Sequence, residues 1–249
     1  MTRAAVVQGA SRGLGLALTR ALLGDASRTH VFAAARRPDE SEGLITLRES
    51  DPRLHTLALD VTREEEIARA VERVREEVEE VDLLINVAGI LHEPEGRGPE
   101  KRLEAIDPDW LKQTFEVNAF GPILVIKHFH PLLRHPQRAV LANVSARVGS
   151  ISDNRLGGWY GYRASKAAQN MFTRTAAIEL GRRAPNLIVV AIHPGTVDTD
   201  LSRPFQRSVA KGGLFSDAQA ADQILDVLGR LSGEDSGSFL AWDGSTIPW

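Results

Sequence analysis

The chain has 249 residues, 43% hydrophobic and 25% charged, with a net charge of −3. That length suits one large α/β domain or two small ones, and the small charge argues against nucleic acid or an anionic membrane as partner. With no cysteine, disulfides, thiol chemistry and cysteine-ligated metal are excluded.

Residues 1–7 lack the apolar core of a signal peptide, and no apolar run is long enough to cross a bilayer. A cytoplasmic chain is therefore expected. Residues 4–8 form a short apolar run that reads as a buried parallel strand. It enters the turn Gly9-Ala10-Ser11-Arg12-Gly13-Leu14-Gly15, and an apolar helix follows over residues 14–23, closed by Gly24. Residues 30–35 and 54–59 are the second and third strands, the latter ending at Asp60. Thr62-Arg63-Glu64-Glu65 has the pattern of a capping box. It predicts a charged helix to about residue 80, with Ile67, Val71, Val74 and Val78 on the inner face. Residues 82–87 are the fourth strand.

Residues 91–104 form a Gly/Pro/charge-rich loop, expected at the mouth of a site. Asp107-Pro108 reads as N-cap and first helical position. The helix it opens runs through Phe115 and Asn118, with Gly121-Pro122 disturbing its middle. Residues 139–144 are the fifth strand, and residues 150–158 a loop. A helix carrying Tyr162 and Lys166 then runs to about residue 183. Residues 187–192 are the sixth strand, ended by His193-Pro194-Gly195, and residues 196–213 are expected to be irregular. Ser216 to Gln219 resembles a second capping box, opening a helix to Leu231. Residues 238–242 are the last strand, followed by a turn at Asp243-Gly244. Alternating strands and helices demand a parallel sheet covered on both faces. With no repeat and no linker, a single α/β domain over residues 1–249 is expected, a doubly wound seven-stranded Rossmann fold.

Three constellations carry chemistry. Glycines at a strand-to-helix turn let the backbone approach a pyrophosphate, and the helix N-terminus offers free N–H groups. The spacing at Gly9, Gly13 and Gly15 is G-x-x-x-G-x-G. At the end of the second strand an acid would select NAD. The sequence instead runs Ala33-Ala34-Ala35-Arg36-Arg37. With Arg12 in the glycine turn, Arg36 points to a 2′-phosphate, hence NADP(H) over NAD(H), against the alternative of solvated surface arginines. Finally, Tyr162 and Lys166 lie four apart, one helical turn. An ammonium roughly 5 Å from a phenol, at an effective dielectric of about 20, favours the phenolate by roughly 3 kcal/mol, or about two pKa units. The alternative is an aromatic ring and a solvated lysine that never meet. Ser145, just beyond the fifth strand, is either a donor to a substrate oxygen or a turn residue. Asn118 is either a functional polar residue in mid-helix or an exposed one.

Together these residues resemble the short-chain dehydrogenase/reductase family. The resemblance covers nearly the whole chain, through Gly9, Gly13 and Gly15, Asp60-Val61, Asn86-Val87-Ala88-Gly89, Asn118, Ser145, Tyr162-x-x-x-Lys166 and Pro194-Gly195. Residues 145–166 and the tail from Asp243 are similar to the C-factor/sniffer-type carbonyl reductase branch. The resemblance implies that Tyr162 exchanges a proton with the substrate oxygen, Lys166 holds the nicotinamide ribose, Ser145 orients the carbonyl and Asn118 holds a relay water. It implies cofactor contacts from Gly9, Ser11, Arg12, Gly13, Leu14, Gly15 and Arg36. Further contacts come from Asp60 and Val61 at the adenine, from Asn86, Ala88 and Gly89, and from Pro194, Gly195, Thr196, Val197 and Thr199. It also implies a small-molecule carbonyl or alcohol substrate and a homodimer or homotetramer, paired through helices near residues 115–133 and 162–183. Gln8 and Val87 depart from the family pattern, and residues 154–159 are an insert that must loop out.

The competing reading is a nucleotide-sensing or signalling module with little turnover. A sugar-nucleotide epimerase fits less well, since such enzymes have a larger C-terminal part and other glycine spacing. His128, His130 and His135 do not share one helix face, so solvated or packed roles are expected rather than a metal site.

Overall fold

The computed structural model describes residues 3–93 and 96–249. Met1, Thr2, and Pro94 and Glu95 of the expected mouth loop lie outside the described residues. In chain order the first half contains β1 (Ala4–Gln8), α1 (Gly13–Gly24), β2 (His30–Ala35), α2 (Glu42–Ser50), β3 (Leu54–Ala58), α3 (Glu64–Glu77) and β4 (Leu83–Asn86). The second half contains α4 (Pro108–Phe115), α5 (Gly121–Phe129), β5 (Ala139–Val144), α6 (Tyr160–Arg183) and β6 (Leu187–His193). After it come β7 (Thr196–Val197), β8 (Leu214–Phe215), α7 (Asp217–Arg230) and β9 (Phe239–Ala241).

Seven strands form one sheet in the order β3-β2-β1-β4-β5-β6-β9, every pair parallel. β1 and β5 are buried along their whole length. That is why they read as unbroken apolar runs rather than alternating ones. Leu18 and Leu22 of α1, Leu44 of α2 and Ile224 of α7 cover one face. Ile67 and Val74 of α3, Val125 and Phe129 of α5 and Leu180 of α6 cover the other. Phe32 and Phe129 are wholly buried there, each contributing roughly 1.5–3 kcal/mol. This is the doubly wound Rossmann-like α/β fold. The strand order reverses between β1 and β4, which opens a crevice at their carboxyl ends.

Three local expectations fail. No capping box forms at Thr62: α3 starts at Glu64 with Arg63 as N-cap and no side-chain cap bond. Asp60 Oδ1 instead accepts from the Thr62 N–H and hydroxyl, at 2.9 and 2.7 Å, and Glu66 takes the Asp60 N–H. With the Thr62 N–H and hydroxyl both committed to Asp60, the reciprocal bonds of a capping box do not form. α2 has no counterpart in the sequence reading, since Leu44 is its one buried residue and its apolar signal is weak. Residues 196–213 are not irregular throughout: β7 pairs with β8, and Arg203–Ser208 is a 3-10 helix.

The long helix does change at Gly121-Pro122. Glu116–Phe120 is a π-helical turn, and the Gly121 N–H reaches back to the Glu116 carbonyl. Pro122 has no N–H to give the Asn118 carbonyl. Widening the turn absorbs that loss. A Cβ on Gly121 would sit 2.7 Å from Val61 Cβ, so glycine lets this helix approach the end of β3.

Candidate active site

The turn after β1 is held by backbone. Gly9 has φ of +88°, and a Cβ there would lie 2.5 Å from the Ala88 nitrogen. A Cβ on Gly15 would strike the Gly9 carbonyl. Among the described residues, the N–H groups of Gly13, Leu14 and Gly15 have no acceptor, and Arg12 caps α1 without a side-chain bond. A tight glycine cradle before open helix-terminal donors fits a dinucleotide pyrophosphate. The Ser11 carbonyl accepts from the Ser41 hydroxyl at 2.7 Å. Arg12 is exposed and pairs with Asp200 at 3.4 Å, whereas Arg36 is exposed with no ion pair among the described residues. Thr199, beyond β7, approaches the same turn: a Cβ on Gly13 would be 3.0 Å from its methyl. Thr196 and Pro194 are half-buried, Val197 is buried, and Gly195 turns with φ of +75°.

Across the crevice, β4 ends in Asn86. Its amide donates to Asn143 Oδ1 at 2.8 Å, and Asn143 donates to Thr173 on α6 at 2.8 Å. The Asn86 side chain therefore ties β4 to β5. Gln8 Oε1 accepts from the Ala88 N–H at 3.3 Å, which gives this departure from the family pattern a structural task. Gly89 faces Asn118 and Lys166: a Cβ there would lie 3.3 Å from Asn118 Oδ1 and 3.7 Å from Lys166 Nζ.

Tyr162 and Lys166 are both buried on α6. Lys166 Nζ donates to the Val144 carbonyl at 2.9 Å and to Gln169 Oε1 at 3.0 Å. It makes no hydrogen bond to Tyr162 among the described residues. Burial pulls the Lys166 amine down to about 7 and pushes the Tyr162 hydroxyl up from its usual 10. The expected lowering of the tyrosine is thus absent. The lysine spends its protons on two oxygens from other turns, and desolvation outweighs a cation that is itself only partly charged at neutral pH.

Ser145 follows β5, is 3% exposed, and donates its proton to Asn170 Oδ1 at 2.6 Å. Asn118 accepts from the Ile90 N–H at 2.8 Å and donates to the Ile90 carbonyl at 2.9 Å and to Ser165 at 3.1 Å. Its amide therefore clamps the strand-end loop onto the π turn. It is fully buried, not exposed.

Sequence reasoning placed Glu100 in the mouth loop and Trp159 in the insert, but gave neither a task of its own. Glu100 is 4% exposed; its Oε2 accepts from the Gly161 N–H at 3.0 Å, and its carbonyl accepts from the Trp159 N–H. A loop carboxylate thus sits at the positive end of α6, two residues before Tyr162. No local pattern announces it, because the contact spans sixty-one positions. Gly157, Gly158 and Trp159 all have positive φ, so the insert closes in a left-handed turn. For tryptophan that conformation costs roughly 1–2 kcal/mol. Its ring sits 6.2 Å from Tyr162 and 4.8 Å from Phe205, and His92 lies 6.0 Å from Phe205. The 91–104 loop, the insert and the segment after β7 therefore meet through rings beside Tyr162. The three singled-out histidines have protein partners: His128 pairs with Glu64 at 2.9 Å, and His130 and His135 bond the Lys127 and Val81 carbonyls at 2.9 Å each.

The profile of the family described as short chain dehydrogenase matches residues 3–210. The chain belongs to the short-chain dehydrogenase/reductase family. Within that family it falls in the C-factor/sniffer branch. The C-signal protein of Myxococcus xanthus is 36% identical over 172 residues, covering 68% of this chain and 93% of its own length. The NADPH-bound carbonyl reductase from chicken fatty liver superposes with a TM-score of 0.89 at 30% identity, covering 100% of this chain and 94% of that one. The carbonyl reductase Sniffer of D. melanogaster gives 0.86 at 26% identity, covering 100% and 99%. The chain is an oxidoreductase of this family, and among the described residues no helix is long and apolar enough to cross a membrane.

Proposed function

We propose that this chain, folded as a single domain, is an NADPH-dependent carbonyl reductase. The observation that carries this reading is the meeting of the two halves at Gly89: the buried Lys166 amine and Asn118 amide stand within 4 Å of where its side chain would begin. A mere nucleotide holder has no need of a buried lysine, whose desolvation is costly.

The cradle of Gly9, Ser11, Arg12, Gly13, Leu14 and Gly15 would take the pyrophosphate, and Arg36 with Arg12 the 2′-phosphate. Asp60 and Val61 would meet the adenine. Asn86, Ala88 and Gly89, and Pro194, Gly195, Thr196, Val197 and Thr199, would line the remaining cleft. When bound, the dinucleotide supplies the hydride. Tyr162 gives its proton to the oxygen that becomes the alcohol. Burial keeps its hydroxyl protonated, which suits reduction: an alkoxide is a far stronger base than a phenolate, whereas oxidation would start from the phenolate. Ser145 orients the same oxygen once its proton leaves Asn170. Lys166, titrating near 7, passes a proton back to Tyr162 at neutral pH, and Asn118 holds the relay water beside it. Trp159, Phe205 and His92 wall the substrate side, which favours apolar or aromatic carbonyls. Pairing of copies through α5 and α6 belongs to the same reading.

NADPH oxidation, followed by absorbance against a panel of aldehydes, ketones and quinones, tests it. Turnover of at least one class, faster with NADPH than NADH, is expected. Tight NADPH binding with no turnover of any class would instead leave a sensor.

A further inference from the structure

We propose that His30, His55 and Glu77 bind one divalent transition-metal ion of the zinc type, at the amino ends of the strands. β2 begins at His30, and the register sets Phe32 opposite His55 on β3. His30 and Phe32 share a face by strand alternation, and His55 lies diagonally across from His30 on it. α3 runs over that face and ends at Glu77. One ligand atom from each of the three lies within 4.8 Å of the others. Tetrahedral zinc with bonds near 2.1 Å sets its ligands about 3.4 Å apart. Glu77 is exposed, so its side chain is free of packing that would hold it away from the two rings.

The imidazoles are prepared for the task. Thr29 Oγ1 gives its proton to the Arg3 carbonyl at 3.3 Å and lies 3.1 Å from His30 Nδ1. With Nδ1–H donated to that oxygen, the Nε2 lone pair is left for a metal. The rings of His30 and His55 pack 5.4 Å apart, with Phe32 5.1 Å from His55, so both are held in orientation. Glu77 has no ion pair among the described residues and sits at the negative end of α3. The two nearby guanidiniums are already compensated, Arg48 by Asp39 at 2.9 Å and Arg73 by Glu76.

Two imidazoles and one carboxylate suit zinc rather than magnesium or calcium. Three protein ligands leave a fourth position, and a cleft of about 230 Å³ beside His55 and Glu77 gives it room. The site is roughly 16 Å along β2 from the carboxyl ends where Tyr162 acts. Its ion would tie β2, β3 and α3 together and raise stability by mass action.

The test uses full-length, tag-free, chelator-treated protein titrated with Co²⁺ and then Zn²⁺. One equivalent of Co²⁺ with the visible absorption of a four-coordinate centre, displaced by Zn²⁺, is expected, as is a higher melting temperature with Zn²⁺. Glu77→Gln, on the surface, and His55→Asn should each weaken binding about tenfold or more. Glu64→Gln, at the separate His128 pair, should leave it unchanged. Absence of saturable one-to-one binding, binding that survives both Glu77→Gln and His55→Asn, or loss of binding in Glu64→Gln would overturn the site.

Discussion

The glycine turn after β1 and the cluster on α6 sit at the same edge of the sheet but are built in opposite ways. The turn is made of backbone: Gly9 and Gly15 clear space, and the α1 donors stay open. The α6 cluster is made of buried side chains, each held by a partner on another element. Lys166 reaches the end of β5, Ser145 reaches α6, and Asn118 reaches the loop after β4. A backbone site is rigid without help and tolerates varied neighbours. A side-chain site is only as exact as the packing around it. The first suits holding a cofactor common to many enzymes, and the second suits chemistry on a particular carbonyl.

Three changes would break or sharpen that contrast. The largest effect is expected from Tyr162→Phe, which removes the hydroxyl proposed as proton donor but keeps the ring. Turnover should fall by about a thousandfold or more, while NADPH affinity by fluorescence titration stays within a few-fold. Equal losses in both would mean that the two regions are not separable. A smaller effect is expected from Ala35→Asp combined with Arg36→Ala. An acid then meets the ribose and a guanidinium is lost, so the NADPH-to-NADH ratio of kcat/KM should drop by about tenfold to a hundredfold. An unchanged ratio would remove Arg36 from the phosphate site.

The smallest effect concerns stability. The Lys166 amine titrates near 7 in the folded protein, against 10.5 for an ordinary lysine. Below about 7 both states carry the proton, and the cost of the buried cation is fully present. Between the two values the unfolded chain binds more protons, so stability rises with pH across that window. Lys166→Met lacks this titration. The urea midpoint of the wild type should therefore climb relative to the variant's between pH 7 and about pH 9.5. A constant gap would mean that the amine is not desolvated as its surroundings imply.

How much was legible follows the same division. The glycine turn and its strand–helix setting were readable because they answer local backbone needs. The Asp107-Pro108 start was readable because Asp107 caps its own helix, accepting from Asp109 and Trp110. Thr62 misled because Asp60, two residues earlier, takes its N–H and hydroxyl. The tasks of Glu100 and Trp159 within their loops were invisible because they lie in contacts with α6 and with other loops. The histidines show the point from the other side. His128, His130 and His135 drew notice by their closeness in sequence, yet the group with converging ligand atoms is His30, His55 and Glu77, drawn from three elements.

From its sequence alone this protein was bound to be a parallel, doubly wound sheet with a nucleotide turn at Gly9 and a tyrosine and lysine stacked on one helix. Apolar runs, caps and glycines act over a few residues, where chain geometry leaves little choice. Only the tertiary structure decided where each buried proton goes: Lys166 to Val144 and Gln169 rather than to Tyr162, and Ser145 to Asn170. A buried polar group must bond to whatever packing brings within about 3 Å, and spacing along the chain does not say which neighbour that is.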